Sequence, residues 1–331
     1  MINMVTCHVC GNSENNFEYK VKEMMFGFRD EFIYFECSQC GCLQIAKIPS
    51  NISKYYSSNY YSYENPETRI YINLAKGRIL RSLLFGSTFV DILFQNTLSI
   101  FPDKAVQFRA NALNASAILK FPLMRDSKVL DVGCGSGLLL YILKNLGFPN
   151  VMGCDPYIDH DIVYRNGLQI LKEHVENIAG RWDLIMFNHS FEHIQYQLET
   201  LKSVKKMLRK NGVCLINMPI TSSYAWKHYK TNWVSVDAPR HFYLHSVKSM
   251  RLLAKLASFN LRNIIYTSSA FQFWGSEQYA RDIPLTSSNS YVKNREKCIF
   301  SERQIGAYAR KAIELNKKNQ GDSAAFYLSQ G

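Results

Sequence analysis

Two Cys-x-x-Cys-Gly knuckles open the chain, Cys7-His-Val-Cys10-Gly and Cys37-Ser-Gln-Cys40-Gly, with 26 residues between them. Thiolates at i and i+3 of a tight turn bind one ion together, and the following glycine lets the backbone bend so that amides point at sulfur. Two such turns complete a tetrahedral set, so Cys7, Cys10, Cys37 and Cys40 are the candidate ligands of a structural Zn2+. A closed four-thiolate site has no open position for substrate, and its expected role is folding rather than catalysis. Cys42 and His8 are spare donors. A second signature lies mid-chain in "VLDVGCGSGLLLYILKNLGFPNVMGCDP" (129–156). Asp131 precedes Gly133, Gly135 and Gly137, and Asp155 follows 18 residues past Gly137. A dinucleotide fingerprint would place its third glycine where Leu138 stands. Two vicinal ribose hydroxyls need a carboxylate with two acceptor oxygens at about this distance, which Asp155 supplies. No P-loop lysine follows, which argues against a nucleoside triphosphate. A third set of reactive side chains occupies two later stretches: His189, Glu192 and His193 in "NHSFEHI", and Asp237, Arg240, His241 and His245 in "WVSVDAPRHFYLHS".

The elements that must position these groups follow from patterning. Apolar runs predict strands at Lys128–Val132, Val151–Cys154, Leu168–Leu171, Asp183–Asn188, Val213–Met218, Leu261–Thr267 and Ala324–Leu328. Helices between them include Leu138–Leu146, Glu199–Arg209 and Ser246–Ala257. This is the βαβ rhythm of an α/β, doubly wound, mostly parallel sheet of seven strands, whose ligands bind beyond the carboxyl ends of the strands. Ahead of it, the strand-like "FEYKVKEMMFGF" and "EFIYFECSQC" suit a zinc ribbon. Three segments result: a ribbon at 1–48, a Tyr-rich and helical linker or lid at 49–120, and the α/β domain at 121–331. The tyrosines of "YYSSNYYSYENP" suit either a stacking surface for a sugar or base, or a packed linker.

Together, "VLDVGCGSG", "GCDP", "WDLIMFNHSFEHI" and "LKSVKKMLRKNGVCLINMP" resemble the class I S-adenosylmethionine-dependent methyltransferases over roughly residues 128–267. "WVSVDAPRHFYLHS", with the Cys knuckles and the Tyr-rich stretch, resembles a bacterial branch associated with sugars of surface polysaccharides. The resemblance implies a Rossmann-like sheet and S-adenosylmethionine as cofactor. It places the Gly133–Gly135–Gly137 loop against methionine and ribose, Asp131 near the cofactor's positive end, and Asp155 on the ribose diol. Asn188 would face the methionine end, and Glu176, His174 or Val175 the adenine. Methylation of a sugar hydroxyl would then need a base, for which a near-neutral imidazole is the economical choice. His241 is the first candidate, with His193 and Asp237 next; each has a structural alternative in loop hydrogen bonding. Arg240 suits either an anionic group on the acceptor or an ion pair with Asp237. Trp226, Trp233, Tyr243, Phe271 and Trp274 are candidates for an aromatic wall.

Composition bounds the partners. The chain has 331 residues, 47% apolar, with a net charge of +12. The densest basic cluster, "LKSVKKMLRKNG", has its apolar residues at helical spacing and reads as the wet side of an amphipathic helix. Nucleic acid is therefore not the expected partner, and the Asn/Asp-Pro-Pro-Tyr/Phe motif of exocyclic base methylation is absent. A methyltransferase acting on RNA through its ribbon is one rival reading; a non-catalytic cofactor-binding scaffold is another. No apolar leader opens the chain and nine cysteines suggest a reducing compartment, so a cytoplasmic location is expected. Residues 82–101 are apolar enough for at most a peripheral membrane contact, because Asp91 sits at their centre.

Overall fold

The structure is a computed structural model that describes residues 5–56, 61–63, 65–69 and 123–330. The first strands, β1 (Phe17–Lys22), β2 (Glu31–Glu36) and β3 (Leu43–Ile45), form an antiparallel ribbon between and beside the two cysteine knuckles.

The second sheet contains β4 (Val129–Val132), β5 (Val151–Cys154), β6 (Ile162–Val163), β7 (Gln169–Leu171), β8 (Trp182–Asn188) and β9 (Leu208–Pro219). Between its last two strands and β9 lies the short β10 (Tyr243–Leu244), which belongs to the ribbon; β11 (Phe259–Tyr266) and β12 (Ser323–Gln330) return to the large sheet. The order is β11-β12-β9-β8-β4-β5-β7-β6. Strands β7, β5, β4, β8 and β9 run parallel, while β12 is antiparallel to both β9 and β11. All four residues of β4 are buried, as expected of a central parallel strand covered on both faces.

Seven of these eight strands coincide with the predicted set. The count of seven is corrected by β6, two residues that pair antiparallel at the edge of β7 and carry too short a pattern to read. The strand after the basic helix also begins earlier than predicted, at Leu208.

Helix α1 (Leu138–Asn145) follows the Gly loop and buries Leu140, Ile142 and Leu143. In α2 (Gln197–Met207), Leu201, Val204 and Met207 face the core while Lys202 and Lys206 are exposed, as the amphipathic reading requires. The others are α3 (Tyr224–Tyr229), α4 (Val247–Leu256), α5 (Phe271–Ala280) and α6 (Glu302–Lys317). Helices α4 and α6 open with reciprocal capping boxes, Ser246 with Ser249 and Ser301 with Gln304.

The ribbon is joined to the large sheet's side of the molecule by pairing. Strand β10 adds to β3, Tyr243 opposite Gln44 and Leu244 opposite Leu43, so the ribbon sheet reads β1-β2-β3-β10. One apolar cluster runs from Tyr34, Phe35 and Leu43 to Phe187, Ile216 and Trp226. Of the predicted 49–120 segment, short 3-10 turns at Ile52–Tyr55, Tyr61–Tyr63 and Pro66–Arg69 are described. Residues 82–101 lie outside the described residues. Among the described residues no helix is long and apolar enough to cross a membrane.

Candidate active site and metal centre

The Gly loop turns sharply from β4 into α1, with Gly133, Gly135 and Gly137 all at positive φ. A Cβ on Gly133 would lie 2.5 Å from the Cβ of Ser190, and one on Gly135 would lie 2.4 Å from the carbonyl oxygen of Ser62. Only glycine tolerates both the backbone conformation and the approach. Ser136 N–H donates to that same Ser62 carbonyl at 2.8 Å, so the Tyr-rich segment lies directly on the loop.

Asp155 directly follows β5 and accepts from Gly135 N–H at 2.8 Å through Oδ2 and from Tyr157 N–H at 2.9 Å through Oδ1. Burial raises its pKa, and the two amide donors pull it back. Asp131 is buried within β4 with its Oδ1 lacking any hydrogen-bond partner. Burial, reinforced by the charge of Asp155, lifts its pKa well above the usual carboxylate range.

A cavity of about 410 Å³ opens over this loop, and Gly133, Asp155, His174, Val175 and Glu176 all line it. Tyr56 and Tyr63 contribute to its wall, with Tyr56 stacked on Tyr157 at 5.8 Å between ring centroids. The three adenine candidates therefore share one wall, where Glu176 accepts from the Thr200 hydroxyl at 3.0 Å. Asn188 spends its side-chain oxygen on Asn217 at 2.9 Å, and the wall beyond β8 is made by His189 and Ser190. Ser190 escaped sequence reasoning; its only signal was a polar run following an apolar strand.

A second cavity of about 240 Å³ shares His189 and His193 with the first, and both residues line each. Glu192, Asp237, His241, Phe271 and Gln272 also face it. The two loops singled out by sequence thus converge on one place. His241 Nδ1 lies 2.8 Å from the Ser235 carbonyl, and His193 Nδ1 lies 2.8 Å from the Arg240 carbonyl. A carbonyl only accepts, so each Nδ1 carries a proton, and in the neutral ring Nε2 holds the lone pair. The rings meet edge to face at 4.7 Å.

Glu192 is fully buried between them, neither oxygen having a hydrogen-bond partner among the described residues; His241 Nε2 and His189 Nδ1 each stand 3.7 Å from Oε1. Burial would raise its pKa, but His189, His241 and His193 outweigh burial and hold it at about 2. His193 is pushed down to about 4, first by burial and then by His241.

Asp237 is bound by Arg240 through two contacts, at 2.9 and 2.5 Å. Burial acts to raise its pKa, yet Arg240 prevails and keeps it at about 2, which makes Asp237 a poor base. Arg240 itself has no exposed surface; it also contacts Glu23 and the Tyr55 carbonyl. Its ion pair with Asp237 is the alternative the structure realises. His245 is likewise structural, held by Gln197 and Ser249. Of the five candidate wall aromatics only Phe271 lines the second cavity; Trp226 and Trp233 are core residues.

The four knuckle sulfurs lie within 4.8 Å of one another, with Cys7 and Cys40 at 3.6 Å and Cys10 and Cys37 at 3.5 Å. Four bonds of about 2.3 Å in a tetrahedron put sulfurs about 3.8 Å apart, so the set fits a metal ion. Gln44 Nε2 donates to Cys7 at 2.9 Å and Cys40 N–H approaches Cys37 at 3.5 Å, as expected around thiolates. Cys42 and His8 stand outside this quartet.

Residues 106–264 match a family model described as a methyltransferase domain, and the Gly loop and paired acids lie within that stretch. Among curated proteins, the chain is similar to the ribosomal protein L11 methyltransferase of Thermosipho melanesiensis, 30% identical over 123 residues, covering 34% of this chain and 46% of that protein. It is also similar to the ubiquinone biosynthesis O-methyltransferase of Rickettsia bellii, 25% identical over 151 residues and covering 41% and 62% respectively. The chain thus spans about half the length of the curated relatives it matches. Among solved structures, a cyclopropane synthase from Mycobacterium tuberculosis aligns with a TM-score of 0.42 at 15% identity, over 66% of this chain and 82% of that one.

Proposed function

We propose that the protein transfers the methyl group of S-adenosylmethionine to an acceptor hydroxyl held in the smaller cavity, with a sugar, nucleotide-linked or within a glycan, as the acceptor class. The observation that carries this reading is that His189 and His193 line both cavities: one holds the Gly loop and Asp155, the other gathers imidazoles and carboxylates. When bound, the cofactor supplies a methyl group on a positively charged sulfur, which needs orientation more than electrophilic help.

Asp155 fits a ribose diol, and Asp131 has an unpaired oxygen that suits the cofactor's cationic end. The acceptor's proton falls to the imidazole–carboxylate cluster, where His241 Nε2 is the best placed single nitrogen. Among the described residues the acceptor cavity is lined by no Lys or Arg, which favours a neutral polyol over a phosphorylated group. The Rickettsia relative is an O-methyltransferase by name, which agrees with a hydroxyl acceptor. We assign Zn2+ to Cys7, Cys10, Cys37 and Cys40 as a structural ion.

Calorimetric titration with S-adenosylmethionine and S-adenosylhomocysteine tests the cofactor, repeated on Asp155→Ala. The expected result is binding by the wild type that weakens about tenfold or more in the variant, about 1.4 kcal/mol. Binding then justifies transfer assays from labelled cofactor to nucleotide sugars and glycans. A folded, zinc-loaded wild type that binds neither ligand would overturn the methyltransferase reading.

A further inference from the structure

We propose that Glu192, His193 and His241 form a second metal site, distinct from the four cysteines, that takes a divalent first-row transition cation at the acceptor end of the catalytic cavity. The ligand atoms of these three residues all lie within 4.8 Å of one another. Bonds of about 2.0–2.2 Å from N and O donors place ligand atoms roughly 3–4 Å apart. The separation of 3.7 Å between His241 Nε2 and Glu192 Oε1 already falls in that range.

Three independent features point to a cation. Both oxygens of Glu192 are buried without a hydrogen-bond donor, an arrangement whose desolvation penalty an ion would relieve. Both imidazoles have the supporting contact seen around metal-bound histidine, an Nδ1–H donated to a backbone carbonyl. Those contacts fix the tautomer that presents Nε2 as a lone pair. Finally, all three side chains line the 240 Å³ cavity, so coordination positions opposite the protein ligands face the place where an acceptor sits.

Two imidazoles and one carboxylate on one face, with open positions, form a donor set suited to Mn2+, Fe2+, Co2+ or Zn2+ rather than to thiolate-seeking ions. Oxygen donors of the acceptor would complete the shell. Its place at the acceptor end rests on the proposed function; the binding of the cation does not. With an ion bound, His241 acts as a ligand in place of a free base.

Mn2+ discriminates this site from the cysteine quartet, because a hard ion competes poorly for four thiolates. Protein first loaded with one equivalent of zinc is titrated with Mn2+ and followed by electron paramagnetic resonance. The wild type is expected to bind one further equivalent, with affinity reduced tenfold or more in Glu192→Gln and in His241→Ala. S-adenosylhomocysteine binding, measured in parallel, reports whether each variant is folded. If both variants fail that control, Phe271→Asp, which adds a carboxylate to the cavity without removing a ligand, is expected to change the Mn2+ spectrum. Absence of a Mn2+ site in the zinc-loaded wild type would overturn the proposal. So would a site whose affinity Glu192→Gln leaves unchanged in folded protein, or one whose spectrum Phe271→Asp leaves unchanged. Failure to bind S-adenosylhomocysteine in the wild type would instead overturn the methyltransferase reading and leave the cation measurement standing.

Discussion

A carboxylate buried in a central strand with one unpaired oxygen has a raised pKa, because desolvation penalises the charge and Asp155 adds like-charge repulsion. That describes Asp131. A ligand that brings positive charge beside it favours the charged carboxylate, so binding and deprotonation are linked. The sign follows from the raised pKa. At low pH the proton resists displacement and affinity is weakest. As pH climbs from the ordinary carboxylate range through Asp131's elevated value, affinity rises, and beyond it the curve flattens. Titrations of S-adenosylmethionine across that interval are expected to show this rise, with net proton release that varies with pH. Asp131→Asn, which carries no titrating group, should flatten the profile and weaken binding at the upper end. A wild-type profile without slope would remove Asp131 from the cofactor's charge balance.

At the scale of elements, the Gly loop is the joint between the sheet, the first helix and the Tyr-rich stretch. Its contact with Ser62 is made backbone to backbone, so Gly135→Ala meets two obstacles: a left-handed φ of 56° and a carbonyl oxygen 2.4 Å from the new methyl group. The backbone alone costs about 1–2 kcal/mol, and displacement of residues 61–63 adds to it. Thermal unfolding should register the loss, and cofactor affinity should fall further than stability does, since Tyr63 belongs to the cavity wall. Unchanged stability would show that the loop and the 61–63 turn are not packed as described. Much of this element was legible in sequence because the inner strands are continuous apolar runs and the loop needs glycine at fixed spacing. The register of the imidazoles was not legible. His241, His193 and Glu192 come from loops almost 50 residues apart, and only the parallel pairing of β8 with β9 brings those loops to one edge. Strand β10 escaped for a related reason: two residues have no periodicity, and their partner lies about 200 positions upstream.

The whole molecule is tied by an arginine that sequence offered as an anion anchor. Arg240 joins Asp237, four residues before His241, to Glu23 in the ribbon, and both Arg240 and Glu23 have no exposed surface. Glu23 also accepts from the backbone N–H groups of Phe26 and Phe28, so it organises the ribbon's turn while the arginine clamps that turn to the loop carrying Asp237 and His241. Removing one partner of such a buried network leaves uncompensated charge, at about 3–5 kcal/mol. Arg240→Met, which keeps most of the volume, should therefore lower the denaturation midpoint strongly, and Glu23→Gln combined with it should recover part of the loss. The same measurement tests how the chain unfolds. Because the ribbon donates β3 to a pairing with β10 and shares an apolar core with the large sheet, wild-type protein is expected to unfold in one transition. The variant, with the clamp gone, is expected either to unfold in one transition at lower denaturant or to shed the ribbon first. A change of stability below about 0.5 kcal/mol would instead place Arg240 among ordinary surface substitutions, and the ribbon would have to be held by its strand pairing and apolar contacts alone.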